Sequence, residues 1–332
     1  MIHKNKNTRC IALAFAFGLM SAPLVGGLET TATLPNEIKV FYDRVLLERA
    51  VPLFVHGQLG QQRPLARRVG KTIEFRRFSN LTAATVPLTE GVTPAGSNLT
   101  VSTVTASINQ YGDFVTGSDL LDLTAIDAVL TETSSIQGDQ AGDTMDQIVR
   151  DILCLGTNVQ YANSKTSRVT VAATDKLTVL EVRKAVRTLK RLSAKKFADG
   201  NYVAIVHPDS LFDLTGDTDW VQASVYAGST QIFDGEVGRI HGVRFIETTN
   251  AKKFAGAGAG AVDVYATLFV AENAYGIVPL DGQSLTSIFK PLGSAGAADP
   301  LEQRWSNGWK VAFTAKILND TFMVRLEHGA TA

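Results

Sequence analysis

Cysteine is nearly absent: the 332 residues contain two, Cys10 and Cys154, 144 positions apart. That leaves no CxxC ligand set and no disulfide framework. Histidine is scarce as well. The five, His3, His56, His207, His241 and His328, are scattered without HxxxH or HExxH spacing for zinc, and they are expected at turns or on the surface. No charge of one sign dominates, since 32 Lys and Arg stand against 32 Asp and Glu. A surface that grips nucleic acid throughout needs a surplus of cations, so that class is disfavoured. The apolar stretch Ile11–Met20 is too short for a membrane span, which takes about 20 residues. With 45% hydrophobic residues the composition is otherwise that of a globular protein, which excludes a disordered chain, a collagen-like repeat and a stapled miniprotein.

Catalytic patterns are missing too. Gly70-Lys71-Thr72 resembles the end of a phosphate-binding loop, but that motif needs glycine where Leu65 stands. Gly256 to Ala261 alternates Gly and Ala but leads into a strand-like run, the reverse of what pyrophosphate binding at a helix start requires. It reads as a surface loop. There is no GxSxG elbow. Asp139, Asp143 and Asp146 share helical spacing and read as a solvated or partner-facing stripe rather than a metal site. No enzyme activity, cofactor, metal or small-molecule substrate is expected.

Residues 1–33 form an apolar, signal-like extension. Lys4, Lys6 and Arg9 precede the apolar run, and small residues follow it. This supports one alternative, an exported or periplasmic binding protein with a cleaved signal peptide.

Further along, Tyr42–Val51 has helical spacing and Pro52 closes it. Lys71–Phe78 and Val101–Ile108 alternate as strands around a Thr-, Ser-, Pro- and Gly-rich stretch at 79–100. Two strands joined by so long a polar connection predict a projecting ribbon, and such loops usually serve a partner. After a cap at Ser118 or Asp119, apolar positions from Ile126 to Ile152 predict a helix over about 125–155, roughly 45 Å long. Gly138 and Gly142 within it suggest a bend or a close contact. Thr178-Val-Leu-Glu181 has the form of a capping box opening an amphipathic helix. Tyr202–Val206 reads as a buried strand, Pro208 as a helix start, the segment around Gly242 as two short strands, and Val262–Val270 as another strand. Residues 178–280 thus form a mixed helix and sheet unit. The end, Gly308–Leu318 and Thr321–Leu326, reads as a hairpin about Asn319-Asp320.

The neutral total conceals a polar distribution of charge. Residues 1–77 carry twelve basic and five acidic side chains, residues 78–150 one basic and nine acidic, and the remainder is nearly balanced. Arg63, Arg67, Arg68, Lys71, Arg76 and Arg77 are six cations in fifteen residues; Asp119, Asp122, Asp127, Asp139, Asp143 and Asp146 lie on the following helical segment. Pairing within one folded unit is one explanation. The sharper one is complementarity between copies, which sets register and suppresses wrong partners.

Five blocks carry a resemblance: Tyr42–Pro52, Gly70–Phe78, Leu88–Pro94, Leu120–Thr124 and Trp309–Asp320. Together, over about Leu34 to His328, the chain resembles the tailed-phage major capsid proteins typified by phage N-four. The apolar run Ile11–Met20 departs from that pattern. The resemblance implies an α+β fold of the Hong Kong 97 type: an N-terminal arm at 34–62, an extended β-ribbon loop at 63–117, a peripheral domain with a long spine helix at 118–177 and 290–332, and an axial domain at 178–289. It implies a virion protein assembled in the bacterial host cytoplasm. Its partners would be itself, in pentamers and hexamers of an icosahedral shell, the enclosed double-stranded DNA held without sequence preference, and portal, scaffolding or decoration proteins. On that expectation the six cations are intersubunit or DNA-proximal, and the six aspartates are their acidic partners.

Overall fold

The computed structural model describes Leu46, Arg49, Ala50 and residues 54–331, apart from residues 80, 94, 125–128, 221–237, 282–284 and 297–298. These residues fall in one unit, Lys39–Ala332. The signal-like extension, the segment up to Arg44, and Asp127 lie outside them.

Two sheets carry the body. In the first, β4 (Asn109–Ser118) pairs antiparallel along β13 (Arg304–Ile317), from Arg304↔Ser118 to Phe313↔Asn109. The other edge of β13 is shared by β12 (Thr286–Lys290) and β11 (Tyr275–Pro279), and short β1 (Gln61–Gln62) extends β11. The second sheet runs β5 (Val159–Tyr161), β14 (Met323–His328), β10 (Val264–Val270), β6 (Tyr202–Val206), β8 (Val243–Glu247) and β7 (Arg239–Ile240), with β9 (Lys253–Phe254) beside β10. The expected 178–280 unit therefore borrows β5 and β14 from outside itself.

All seven residues of β10 are buried, which follows from a strand covered on both faces. Phe269 points into one core with Val182, Val186 and Leu189 of helix α3 (Val179–Arg191). Its neighbours Leu268 and Val270 point into another, with Val149 and Leu153 of helix α2 (Val129–Leu153) and with Phe313 of β13. The period of two thus welds the two cores through one strand.

Helix α2 is the long helix expected, roughly 37 Å at 1.5 Å per residue. Its buried face, Ser134, Gln137, Gly138, Ala141, Gly142, Asp146, Val149 and Leu153, is small and polar toward its start. Gln137 Nε2 donates to the Asn307 carbonyl at 2.7 Å, Asn307 Nδ2 to Ser134 Oγ at 2.6 Å, and Trp309 Nε1 to Gln140 Oε1 at 3.1 Å, tying the helix to β13. A Cβ on Gly138 would sit 2.7 Å from the Leu46 carbonyl oxygen, so glycine here permits close approach of the helical stretch containing Leu46. At Gly138 the expected close contact is present. Ser118 Oγ does accept from Leu121 N at 3.3 Å, capping the short helix α1 (Asp119–Thr124).

Two local expectations fail. β13 and β14 do not form a hairpin: each pairs in a different sheet, and the single-turn helix Asp320–Phe322 between them carries the chain across. The Asp320 carboxylate accepts from Thr157 N at 2.9 Å and so anchors that crossing to the segment after α2. The capping box at Thr178 is not formed either; Thr178 makes no side-chain cap, and Glu181 accepts from Asn163 N and Lys184 Nζ instead. The first helical amide, Val179 N, is satisfied by Asp217 Oδ2 at 2.9 Å. A carboxylate from outside does the work that the local motif would do.

His56 and His328 are not surface residues: both are buried. His328 Nε2 lies 2.9 Å from Thr267 Oγ1 and Nδ1 2.9 Å from the Gly329 carbonyl, a pattern that fits the neutral ring donating through Nδ1. Burial disfavours the cation and pushes its pKa from the ordinary 6.5 down to about 4. In that window the unfolded chain binds the extra proton, so stability is fully present above about pH 6.5 and falls as the pH drops toward 4. The loss is on the order of 3 kcal/mol. Urea melts of wild type and His328→Gln between pH 7 and 4 check this: the variant should lose correspondingly less over the interval, and parallel curves would count against it.

Candidate assembly surface

The ribbon is present. β2 (Thr72–Phe78) and β3 (Val101–Ser107) pair antiparallel from Thr72↔Ser107 to Phe78↔Val101 and form a two-stranded sheet of their own. Their inward residues, Phe75 and Ala106, join Leu65, Ile108, Val278 and Ala312 in a small third core, which seats one end of the ribbon on the body. Phe75 can lie flat there because Gly276 beneath it has no side chain; a Cβ would meet its ring at 3.0 Å. The paired ribbon ends at Ser107, and residues 109–118 already belong to the first sheet as β4.

From Arg76 to Thr103 every described residue is exposed. Among them are Phe78, Leu81, Val86, Leu88, Val92, Leu99 and Val101, with Val86 at 81% and Leu88 at 77% exposure. Single exposed apolar residues need no explanation, but seven on one projection are an unusual concentration of exposed apolar side chains. At 89–92 the chain turns, with Val92 N donating to the Thr89 carbonyl at 3.2 Å and Gly91 at φ +76. Positive φ at this third turn position is what Glu90-Gly91 supplies.

The six predicted cations cluster where this ribbon meets the body, and all are exposed. Arg63 lies over the Phe75 ring at 5.6 Å, Arg67 Nε donates to the Asp281 carbonyl at 3.0 Å, and Arg77 Nη1 donates to Asn319 Oδ1 at 2.9 Å. Arg76 stands 4.0 Å from Glu74. Arg68, at φ 65, and Lys71 occupy the turn before β2.

The acidic set divides. Asp139 pairs with Arg49 at 2.7 Å, Asp143 Oδ1 accepts from Asn250 Nδ2 at 3.0 Å, and Asp119 Oδ1 accepts from Leu120 N at 2.7 Å. Asp122 lies on α1, and Asp127 is outside the described residues. Asp146 has no outward face at all, which corrects the reading of a solvated stripe. It is fully buried, with Oδ1 accepting from His56 N at 2.6 Å and Oδ2 2.8 Å from His56 Nδ1. Helical spacing put the three aspartates on one side, but the segment before the ribbon packs against that side and buries the last of them. One acid outside the predicted set is also held within the fold: Asp113 is kept below the usual carboxylate range by donation from Gln140 and from the Phe114 amide.

The exposed apolar set was not picked out from the sequence, because its irregular spacing follows neither strand nor helix periodicity. A further exposed group, Phe114 and Val115 on β4 and Leu120, Leu121 and Leu123 on α1, lies on the first sheet and its adjoining helix. Near it a shallow groove of about 530 Å³ is lined by Tyr111, Phe114, Ile288, Trp309 and Lys310. Among the described residues no group of His, Cys, Asp or Glu could hold a metal ion, and no helix is long and apolar enough to cross a membrane.

A family model described as phage capsid protein matches residues 57–286. Solved structures with the same fold include the capsid of Ralstonia phage GP4, with a TM-score of 0.65 at 15% identity over 82% of this chain and 88% of that one. The capsid of cyanophage P-SCSP1u follows at 0.63 and 15%, over 82% and 87%. The capsid asymmetric unit of cyanophage Pam1 stands at 0.63 and 16%, over 80% and 86%. No curated protein matches in sequence. None of these likenesses supports the exported binding protein.

Proposed function

This chain belongs to the phage capsid protein family, and from that premise we propose that it is the repeating shell subunit of a tailed phage or prophage, closing into an icosahedral shell around double-stranded DNA. The expected α+β capsid fold is the one it shares with the solved phage capsids. The observation that carries the assembly reading is the ribbon: a stretch from Arg76 to Thr103, wholly exposed in the single chain and studded with apolar side chains. Covering such a surface with a neighbour removes its apolar area from water, and the neighbour in a shell is another copy. In this reading residues 34–62 form the arm, 63–117 the extended loop, 118–177 with 290–332 the peripheral domain, and 178–289 the axial domain. The function is mechanical rather than catalytic: many modest, geometrically matched contacts repeat around pentamers and hexamers.

The cations at the ribbon base are intersubunit or DNA-proximal charges in this reading. Replacing both Arg76 and Arg77 by Glu reverses two exposed charges without touching a core. Soluble monomer with an unchanged circular dichroism spectrum is expected, with particle yield by electron microscopy at least tenfold lower. Normal particles from the variant would refute the assignment.

A further inference from the structure

Where β2 leaves the body, a cleft of about 320 Å³ opens beside the ribbon, lined by Arg63, Phe75, Arg77, Leu318, Asn319 and Phe322 among others. That is at the small end of ligand-binding clefts, about 300–1,000 Å³. Its floor is apolar and its cations are guanidinium groups; no Asp or Glu lines it. Among the described residues no carboxylate lies within ion-pair distance of Arg63 or Arg77, whose side chains meet the Phe75 ring and Asn319 respectively. A cleft with positive walls and an apolar floor fits an amphipathic, acidic peptide better than a bare phosphate, which gains nothing from Phe75, Leu318 and Phe322.

The ribbon itself carries a segment with that chemistry. Between Ser79 and Thr100 the only charged residue is Glu90, and it sits in the tight turn 89–92 between exposed Leu88 and Val92. We propose that the Leu88–Val92 turn of one copy docks into the cleft at the ribbon base of a neighbouring copy, Glu90 between Arg63 and Arg77 and the two apolar side chains on the floor. The inference rests on the shell-subunit reading and adds to it the residues of a head-to-tail contact. Such a contact joins two different patches, so it propagates from copy to copy and closes a ring where the rotation allows. The guanidinium groups give the carboxylate charge-assisted bonds, and burying Leu88 and Val92 removes their exposed surface from water.

The test is charge reversal with rescue. Glu90→Lys is expected to lower particle yield at least tenfold with the monomer's circular dichroism unchanged, and Arg63→Glu with Arg77→Glu to do the same. Combining Glu90→Lys with Arg63→Glu should restore at least half of the wild-type yield. Wild-type yield from Glu90→Lys alone, or no rescue by the combination, would overturn the contact. Shells that form normally in the Arg63, Arg77 variant but hold no DNA would overturn it in favour of phosphate binding. Asn273 also lines the cleft, so Thr89→Cys with Asn273→Cys, treated in particles with a short bismaleimide, should yield a ladder of covalent oligomers that neither single variant gives; monomer alone would also overturn it. Absence of particles from the wild-type chain would instead fail the shell reading itself.

Discussion

Changing Val86, Leu88, Val92 and Leu99 together to serine is expected to leave the monomer's stability within about 0.5 kcal/mol of wild type while abolishing particle formation. The two halves of this result have one cause. All four side chains are exposed in the single chain, so serine there takes nothing from a core. In the proposed shell contact the same side chains are covered, and each fully buried aliphatic group contributes about 1.5–3 kcal/mol relative to exposure. Losing even two at every subunit contact weakens each by several kcal/mol, and closure of a shell multiplies that weakness over every contact. Denaturant melts of the unassembled protein and negative-stain microscopy of the expression product measure the two halves separately. Particles at wild-type yield would mean that the ribbon is not an assembly element; a large fall in monomer stability would mean that it packs on its own body.

The second large effect is expected at Asp146. Asp146→Ala should destabilise the unassembled protein by about 2–6 kcal/mol, because it leaves the buried His56 amide and ring Nδ1 each without a hydrogen-bond partner, at about 1–3 kcal/mol per group. The backbone amide of His56 and its Nδ1 both depend on this carboxylate, and the Tyr275 hydroxyl already donates to the His56 carbonyl. The segment entering the ribbon is therefore held against helix α2 by one polar cluster rather than by apolar packing alone. Asp146→Asn is expected to recover most of the loss, since an amide oxygen can still accept from His56 N and the amide nitrogen can donate to the ring. Urea denaturation of both variants checks this; equal losses would show that charge, not hydrogen-bond geometry, holds the segment.

The contrast between those two regions explains what could be read in advance. The ribbon was legible because its signals are local: alternation in β2 and β3, and a Pro-, Gly- and Thr-rich connection too polar to bury. Helix α2, the strand at Tyr202–Val206 and the helix Pro208–Thr215 were legible for the same reason, a period or a breaker within a few residues. Thr178 and Asn319-Asp320 misled because their local patterns are real, but tertiary partners outbid them. Asp217 satisfies the helix start, and Asp320 is drawn to Thr157, so β13 and β14 separate into different sheets.

The neutral charge follows the same division. By itself the sequence determined that a basic stretch precedes an acidic one, that its spacings match none of the familiar catalytic or metal-ligand motifs weighed above, and that a long polar connection separates two strands. Only the tertiary structure decided which charges remain available. It spends Asp139 on Arg49 and Asp146 on His56, and leaves Arg63 and Arg77 around a cleft with no acid of its own. The physical reason is that periodicity specifies which side of an element a residue occupies, whereas burial and pairing depend on which distant segment comes to lie against that side.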